Sequence, residues 1–414
     1  MSDAMFTDQP PATERLIARE RARLTGLTRS IGAAIDPGEP QLAAAGLICG
    51  FDANGAVWAW SYNPDESRLG AAVMWASRAG ATQLNLIRPR DATEGDLGLA
   101  SLSSTLSIPC AVFQADGVEL VDLSEDDVAK IVAGAEPLRP VDWPTWRDSL
   151  QGRAHQAALV LDGIVERHNA ALTNPRAELV WGPGSGGNPA LWCWGVELVA
   201  VSAAPHDDGL LLDVGVGEHD RDARRELLGQ FALGPEHTLA VEAELGDLAE
   251  LVAELRPLSG SHPLSRLRLE TRLLDEVRRS GAIDGRPLPG RFEWLPSARP
   301  GRGLLERGAA FAQAGPDLLI GTAGGDLEVM TDVAMGWVRF RAGGPAEPRV
   351  HVLVAKSDAH GFLTQGLALL APAVPVTLEV IGLVDRDLAS VDADEDTAGD
   401  AAESSVASGS KATG

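Results

Sequence analysis

The sequence predicts an α/β fold with an α+β region in the centre of the chain. Strand-like apolar runs alternate with helix-like segments near both ends, which is typical of a sheet covered by helices. In the middle the strand-like runs follow one another directly, and the length of 414 residues predicts two or three domains. We therefore expect two similar Rossmann-like α/β lobes that flank a central mixed region of β-meander and helices.

An N-terminal helix is expected within residues 1–36. Thr13 is a suitable N-cap, and over 13–35 the apolar residues fall on roughly one helical face: Leu16, Ile17, Leu24, Leu27 and Ile31. The same stretch is the most basic of the chain, with Arg15, Arg19, Arg21, Arg23 and Arg29. A solvated helix face and an anion-binding surface both explain these arginines.

The N-terminal lobe is expected over 37–148. Two strands at 47–51 and 57–60 are joined by a turn at Asn54-Gly55. A helix should end at Gly80 as its C-cap. Strands and helices then alternate, with strands at 82–87, 108–113 and 118–123 and a helix at 96–105.

The C-terminal lobe, expected over 304–384, repeats this pattern. Residues 82–116 align without gaps to 348–382 at an offset of 266 residues, with identities at Gly95/Gly361, Leu97/Leu363 and Pro109/Pro375. An internal duplication and two independently similar lobes both remain open.

The central α+β domain is expected over 149–285, with strands at 178–181, 191–202 and 209–217 and helices at 150–171, 220–230, 246–256 and 263–280. A Pro/Gly linker is expected at 286–303. Residues 385–414 are rich in Ala, Ser, Asp and Glu with few apolar anchors, which predicts a disordered acidic tail.

The net charge of −24 argues against a nucleic-acid partner, although local arginine clusters leave one open. A net charge of −6 lies in the tail, from eight acids against Arg386 and Lys411, and −18 lies in the body. The three cysteines are far apart and form no CxxC pair, so neither a disulfide framework nor a cysteine metal site is indicated. Without a signal-peptide pattern or a long apolar run, we expect a cytoplasmic protein with no membrane partner.

A carboxylate cluster follows the apolar run 210–214. Asp213 lies in that run, Glu218, His219 and Asp220 lie at its exit, and Glu197 lies in the preceding strand. Oxygen ligands of this kind suit Mg²⁺ or Mn²⁺, so Glu197, Asp213, Glu218 and Asp220 are candidate metal ligands. The alternative is that Asp220 or Asp222 caps a helix that begins near Ala223.

A second candidate site begins at His262. Pro263 suits the first position of a helix, and Arg266 and Glu270, spaced i,i+4, then lie on one face. Three interpretations of that face remain open. It could bind an anion, it could form ion pairs with the loop 213–222, or Arg266 and Glu270 could simply form a surface ion pair.

Two glycine-rich stretches are expected to be turns. Residues 182–187 match GxGxxG formally, but a β-type run follows where a dinucleotide site needs a helix. Residues 321–326 follow a strand and are expected to form a plain hairpin turn.

Three stretches, LLLDVGVGEHDRDA, HPLSRLRLETRLL and DLLIGTAGGDLEVMTDVA, resemble a family of uncharacterised actinobacterial proteins of similar length. The resemblance covers most of the chain and implies no activity. It implies that six residues belong to one binding neighbourhood: Gly217, Asp220, Arg221, His262, Arg266 and Glu270.

The functional expectation is a non-enzymatic binding or scaffolding protein without a cofactor, with a protein partner or a second copy of itself. Its support is that no catalytic signature is intact. The alternative is a phosphoester hydrolase, nuclease-like and dependent on Mg²⁺ or Mn²⁺, that uses the carboxylate cluster. It lacks the lysine that restriction-type nucleases place two residues after the second acid, because position 215 is glycine.

Overall fold

The computed structural model has an α/β fold, as the sequence predicts. Contacts divide the chain into two compact units, the first of 1–140, 281–302 and 306–380, the second built on 141–280. The structure describes residues 12–35, 41–44, 46–62, 68–90, 96–184, 188–204, 209–228, 231–233, 238–256, 267–298, 308–324, 326, 328–344, 347–370 and 372–383.

The N-terminal part of the first unit is a six-stranded mixed sheet, in the order β1 to β6. Its elements are α1 (Ala12–Ser30), β1 (Gln41–Ala44), β2 (Leu47–Phe51), β3 (Val57–Ser61), α2 (Leu69–Ala79), β4 (Leu84–Pro89), α3 (Leu97–Thr105), β5 (Cys110–Asp116), β6 (Glu119–Asp122) and α4 (Glu125–Ala133). β3, β4 and β5 are parallel, because α2 and α3 carry the chain back between them. β2 and β3 form the predicted hairpin, and Gly80 ends α2 in the left-handed conformation.

The two faces of this sheet pack on different helices. Leu84 and Leu86 of β4 join the core that contains α2 and α3. Ile87, which alternates with them, joins Leu24 and Leu27 of α1 on the opposite face.

Helix α1 ends at Ser30 rather than at 35, because the chain turns at Gly32, where φ is +79°.

The second unit is a five-stranded antiparallel sheet with helices. Its elements are α5 (Trp143–Ser149), α6 (Gly152–Ala171), β7 (Leu179–Pro183), β8 (Pro189–Cys193), β9 (Val196–Ala203), β10 (Leu210–Val214), α7 (Gly217–Leu228), β11 (Phe231–Leu233), α8 (Thr238–Leu255) and α9 (Leu269–Ser280). The strands lie in the order β11-β10-β9-β8-β7, so the expected meander is present. β7 and β8 pair as a hairpin around 184–188, which agrees with the turn expected there.

The C-terminal part of the first unit holds a second mixed sheet. The elements of this C-terminal part are β12 (Ala282–Ile283), β13 (Arg286–Pro287), β14 (Phe292–Leu295), β15 (Ala310–Ala314), β16 (Asp317–Thr322), α10 (Val329–Gly343), β17 (Val350–Ala355), α11 (Gly361–Leu370) and β18 (Val376–Ile381). The five larger strands lie in the order β14 to β18, with β16 and β17 parallel.

Two expectations differ from this arrangement. The segment 286–298 is not an unstructured linker, because β14 pairs with β15 along Phe292-Glu-Trp-Leu295 at the edge of the sheet. The stretch 321–326 is not a hairpin turn, because α10 follows it and crosses over to the parallel strand β17. In both places the partner strand, which lies elsewhere in the sequence, decides the structure.

The two terminal parts share one hydrophobic core within the first unit. At their contact the Glu328 carboxylate, 1 % exposed, accepts the backbone N–H groups of Gly70 and Ala71 at 3.0 and 3.3 Å. A carboxylate there balances the positive end of α2.

The proposed duplication has equivalent backbone contacts. Leu84 N donates to Pro109 O at 3.0 Å, and Val350 N donates to Pro375 O at the same distance and at the offset of 266 residues. Whether the two parts arose by duplication stays a prediction. None of the described helices is long and apolar enough to span a membrane.

Candidate functional site

The carboxylate cluster of the second unit lies where α7 packs on the sheet. Glu197 of β9 alternates with Val196 and Leu198, and Asp213 of β10 alternates with Leu212 and Val214. These four apolar residues belong to the core of the unit, so both carboxylates project from the opposite face of the sheet.

Helix α7 begins at Gly217, six residues before the start expected near Ala223. Asp220 Oδ2 accepts the N–H of Val216 at 2.8 Å, which fixes the turn that leads into the helix. The same oxygen lies 2.8 Å from the position that a Cβ at Gly215 would occupy, so a side chain there would collide with it. Because α7 begins at Gly217, residues 218–222 belong to this helix and not to a loop at the end of β10.

Arg221 of α7 forms a buried ion pair with Glu197. Its Nη2 lies 3.1 Å from Glu197 Oε1, and its Nη1 donates to the Glu197 carbonyl at 3.1 Å. The two side chains are 5 % and 4 % exposed. Charges so well shielded from water depend on each other, because neither is solvated when the other is removed.

One helical turn further along, Arg225 meets the second strand carboxylate. Its Nη1 lies 3.4 Å from Asp213 Oδ2, and it also pairs with Asp222. Between them, Arg224 lies 3.1 Å from Asp220 and pairs with Glu244 of α8. Three of the four proposed metal ligands thus have an arginine partner.

The side chains of Glu218 and His219 lie outside the described part. Across the described residues, no group of three or more His, Cys, Asp and Glu side chains is arranged to hold a metal ion. The geometry at Glu197, Asp213 and Asp220 is that of an alternating acid–arginine cluster, which holds α7 on the sheet.

The second candidate site lies at the start of α9. The turn between β8 and β9 places Trp194 and Gly195 at φ of +43° and +71°. Thr271 donates its hydroxyl to the Gly195 carbonyl, and a Cβ at Gly195 would lie 2.7 Å from the backbone of Thr271. Only glycine permits this approach of α9 to the sheet.

Buried arginines surround this contact. Arg256, at the end of α8, donates to the carbonyls of Leu267 and Arg268 at 2.6 and 3.1 Å. Burial lowers the pKa of Arg256 to about 9, and the nearby charge of Arg272 adds to the effect. Arg272 also lies over the Trp194 ring, with 5.4 Å from its guanidinium carbon to the ring centroid.

Asp275 is the central carboxylate of the same cluster. It is fully buried and accepts hydrogen bonds from Arg278 Nε and Arg279 Nε at 2.7 and 2.6 Å. Arg278 also reaches Glu178 at 2.7 Å, which ties α9 to the start of β7. These contacts hold the helix in place.

The described helix that contains Glu270 begins at Leu269. Arg268, just before it, has φ +51°, which is not a helical conformation, and its Nε lies 2.7 Å from Glu270 Oε1. The expected i,i+4 pairing of Arg266 with Glu270 stays a prediction, because Arg266 lies outside the described residues.

His262 and Arg266 lie outside the described residues. Of the other four members of the expected neighbourhood, Gly217, Asp220 and Arg221 lie in α7 and Glu270 lies in α9. The joint neighbourhood of all six residues stays a prediction.

One polar cluster of the first unit escaped the sequence reasoning. His351 of β17 lies 3.2 Å from Asp317 of β16 and 3.1 Å from Glu379 of β18, and Arg286 pairs with Glu379 at 2.7 Å. The signal was a single titratable residue in each of three apolar strands, and only the order of the strands shows that the three lie side by side.

No protein-family model matches the chain, and comparisons with curated proteins and with solved structures also give no match. The resemblance to an actinobacterial family therefore stays a prediction, and the protein is defined by its α/β fold and by the acid–arginine cluster described above.

Proposed function

We propose that this protein is a non-enzymatic binding or scaffolding protein whose partner is another protein or a second copy of the chain. The observation that carries this proposal is the pairing of Glu197 with Arg221 and of Asp213 with Arg225. A cation that used these carboxylates would have to displace two guanidinium groups, one of them in a buried pair. The cluster is suited to maintaining a surface rather than to activating a metal-bound water.

The cysteines argue against a thiol nucleophile. Burial raises the pKa of Cys110 and of Cys193 to about 12, and it raises the pKa of Cys49 as well. Because the thiolate is the nucleophilic form, none of these thiols is a ready nucleophile at neutral pH.

The partner surface that we propose is the partly exposed edge of the acid–arginine cluster along α7. Arg224 and Arg225 are 32 % and 47 % exposed, and Asp220 and Asp222 are 40 % and 45 % exposed. Such a surface carries both signs of charge in fixed positions, which gives specificity to a protein contact.

Partner binding is tested with the full chain. Light scattering over a range of concentrations measures self-association, and affinity capture followed by crosslinking identifies other partners and their contact residues. We expect crosslinks to α7, and loss of association in Arg224→Glu/Arg225→Glu. The control is Arg90→Glu, which breaks a more exposed ion pair in the first unit. A chain that stays monomeric and captures nothing, or equal association of all three proteins, would overturn the proposal.

The hydrolase alternative is tested by thermal denaturation with Mn²⁺ or Mg²⁺. We expect no stabilisation of the wild type, because arginines occupy the carboxylates. A ligand present at 100 times its dissociation constant stabilises the folded state by about 2.7 kcal/mol, so binding would be readily measured. Stabilisation of the wild type that disappears in Asp213→Asn would establish the metal site and refute the non-enzymatic proposal.

A further inference from the structure

The two mixed sheets of the first unit are built in the same order. In each sheet the first three strands are antiparallel, and a helical crossover then makes the third strand parallel to the fourth. β16, β17 and β18 therefore correspond to β3, β4 and β5. The correspondence of β18 with β5 agrees with the offset of 266 residues at which Leu84 and Val350 donate the same backbone hydrogen bond.

The outer edges of the two corresponding strands differ. β6 pairs antiparallel with β5, from Phe113 opposite Asp122 to Asp116 opposite Glu119. Within the described part of the chain, no strand pairs with the other side of β18, which is the last strand of its sheet. We call this side of β18 the open edge.

Backbone groups alternate in direction along β18. The Pro375 carbonyl accepts a hydrogen bond from β17 at 3.0 Å, so the peptide groups of Thr377 and Glu379 also point toward β17. The N–H and C=O groups of Leu378 and Val380 consequently point toward the open edge. Backbone groups that an edge strand directs outward are a template for another strand.

The side chains of β18 do not block such pairing. Residues 376–381 contain no proline, glycine or lysine, and four of the six are β-branched. Val380 is 46 % exposed, although it lies on the same face as Leu378, which packs against the core. The one charged residue, Glu379, is buried and pairs with Arg286 at 2.7 Å. The open edge is thus apolar and its carboxylate is already neutralised.

We propose that the open edge pairs antiparallel with the open edge of a second copy of this chain, about a twofold axis at Leu378. The two five-stranded sheets then form one continuous sheet across the dimer. A twofold contact uses the same surface of both copies, and the added strand repeats the arrangement of β6 beside β5. This inference goes beyond the proposed function, because it lies in the first unit and uses neither α7 nor the acid–arginine cluster.

Packing and charge select this register. Val376 lies opposite Val380 of the second copy, so the exposed valine gains an apolar neighbour on the same face. Thr377 lies opposite Glu379 of the second copy, where its hydroxyl can donate to the carboxylate. An axis at Glu379 would instead place two carboxylates directly opposite each other, which is destabilising.

Short crosslinks test both the contact and its register. With the axis at Leu378, the two copies of residue 377 are diagonal neighbours about 7–8 Å apart. The two copies of residue 380 are about 14 Å apart, because they are offset by four residues along the strands. We expect a short bis-maleimide to crosslink Thr377→Cys as a dimer and to leave Val380→Cys, the control on the same strand, as a monomer. The wild type should give no crosslink, because burial raises the pKa of all three native thiols.

Proline at the open edge tests the backbone hydrogen bonds. Light scattering of the wild type should show a molar mass that rises with concentration from that of one chain toward that of two. Val380→Pro removes a donor that points away from β17 and leaves the ladder with β17 in place. Because one hydrogen bond is lost from each copy, we expect the dimer dissociation constant to rise about tenfold or more. Val380→Ala keeps the N–H group and should raise it less.

The contact at β18 and the proposed contact at α7 are measured separately. Where both contacts form, Arg224→Glu/Arg225→Glu should lose the association through α7 and fall back to the β18 dimer. The crosslink of Thr377→Cys should be unchanged in that background. Failure of the α7 proposal therefore leaves the crosslink intact, and failure of the β18 proposal removes it.

Three results would refute pairing at the open edge. The first is a wild-type chain that stays monomeric at every concentration, because a segment of the same chain, or none, would then cover the edge. The second is equal crosslinking of Thr377→Cys and Val380→Cys, which excludes the register. The third is a dissociation constant that Val380→Pro leaves unchanged. The crosslinks decide the matter by themselves where urea denaturation shows that Val380→Pro is not folded.

Discussion

Ion pairs of the second unit differ mainly in how much water surrounds each of them. Glu197 and Arg221 are almost completely shielded, whereas Arg225 and Asp222 remain about half exposed. Shielded charges lose their hydration and therefore require each other, while exposed charges are solvated with or without a partner. The buried pair is accordingly the residue-scale feature that a mutation should disturb most.

Replacing Arg221 by methionine is expected to destabilise the second unit by about 3–5 kcal/mol, because Glu197 would remain as an unpaired buried carboxylate. Urea denaturation measures the loss. Arg90→Met, which breaks the exposed pair with Asp116, should cost far less. The double variant Glu197→Met/Arg221→Met should recover most of the stability. Equal losses for Arg221→Met and Arg90→Met would contradict this account.

Two glycines with left-handed backbones make a second residue-scale comparison. Gly195 and Gly281 have φ of +71° and +63°, but only Gly195 faces another backbone, that of Thr271 at 2.7 Å from the added Cβ. We expect Gly281→Ala to cost about 1 kcal/mol through φ alone. Gly195→Ala should cost about 1–3 kcal/mol more because α9 must move. Thermal denaturation measures the loss of stability in each variant. Similar losses in the two variants would show that α9 does not pack tightly against Gly195.

At the scale of elements, glycines within helices distinguish a solvated helix from a buried one. A Cβ added at Gly26 of α1 would meet no atom within 4 Å, whereas a Cβ added at Gly336 of α10 would lie 2.7 Å from the Phe311 ring. We expect Gly26→Ala to stabilise the first unit by about 0.5–1 kcal/mol through helix propensity. Gly336→Ala should destabilise it by about 1–3 kcal/mol, because a buried ring must shift. Denaturation midpoints that move in the same direction would disprove this difference.

Element types were largely predictable, and element partners were not. The periodicity of α1, the Asn54-Gly55 hairpin and the Gly80 cap are local signals, and the structure follows them. The start of α9 at Leu269 follows Arg268 in a left-handed conformation, which no local pattern at that position predicted. Likewise, β14 is a strand because β15 pairs with it.

At the scale of the whole molecule, the two compact units predict two unfolding events. The core that contains Leu318 lies in the first unit, and the core that contains Leu198 lies in the second. We expect scanning calorimetry to show two transitions. Leu318→Ala should lower the midpoint temperature of one transition, and Leu198→Ala should lower that of the other. Each substitution leaves a cavity that destabilises its own core by about 2–5 kcal/mol. A single transition that both variants shift equally would show that the units unfold together.

The candidate site shows the same division between local and distant information. Glu197, Asp213 and Asp220 were identified as chemically notable because carboxylates are rare inside apolar strands and cluster at 213–222. Their partners were not foreseen, since the pairing of Arg221 and Arg225 with two neighbouring strands depends on α7 lying across the sheet. The cluster of Asp317, His351 and Glu379 depends in the same way on strand order.

The sequence by itself determined the α/β class, most helices and strands, and the concentration of charge into an arginine-rich helix, a carboxylate cluster and an acidic tail. Hydrophobic periodicity and turn chemistry act over a few residues, so the sequence alone is enough for these. The tertiary structure alone decided that the two terminal parts share one core and that the strand carboxylates are paired with arginines. Contacts between residues distant in the chain depend on how whole elements pack, and no local pattern encodes that packing.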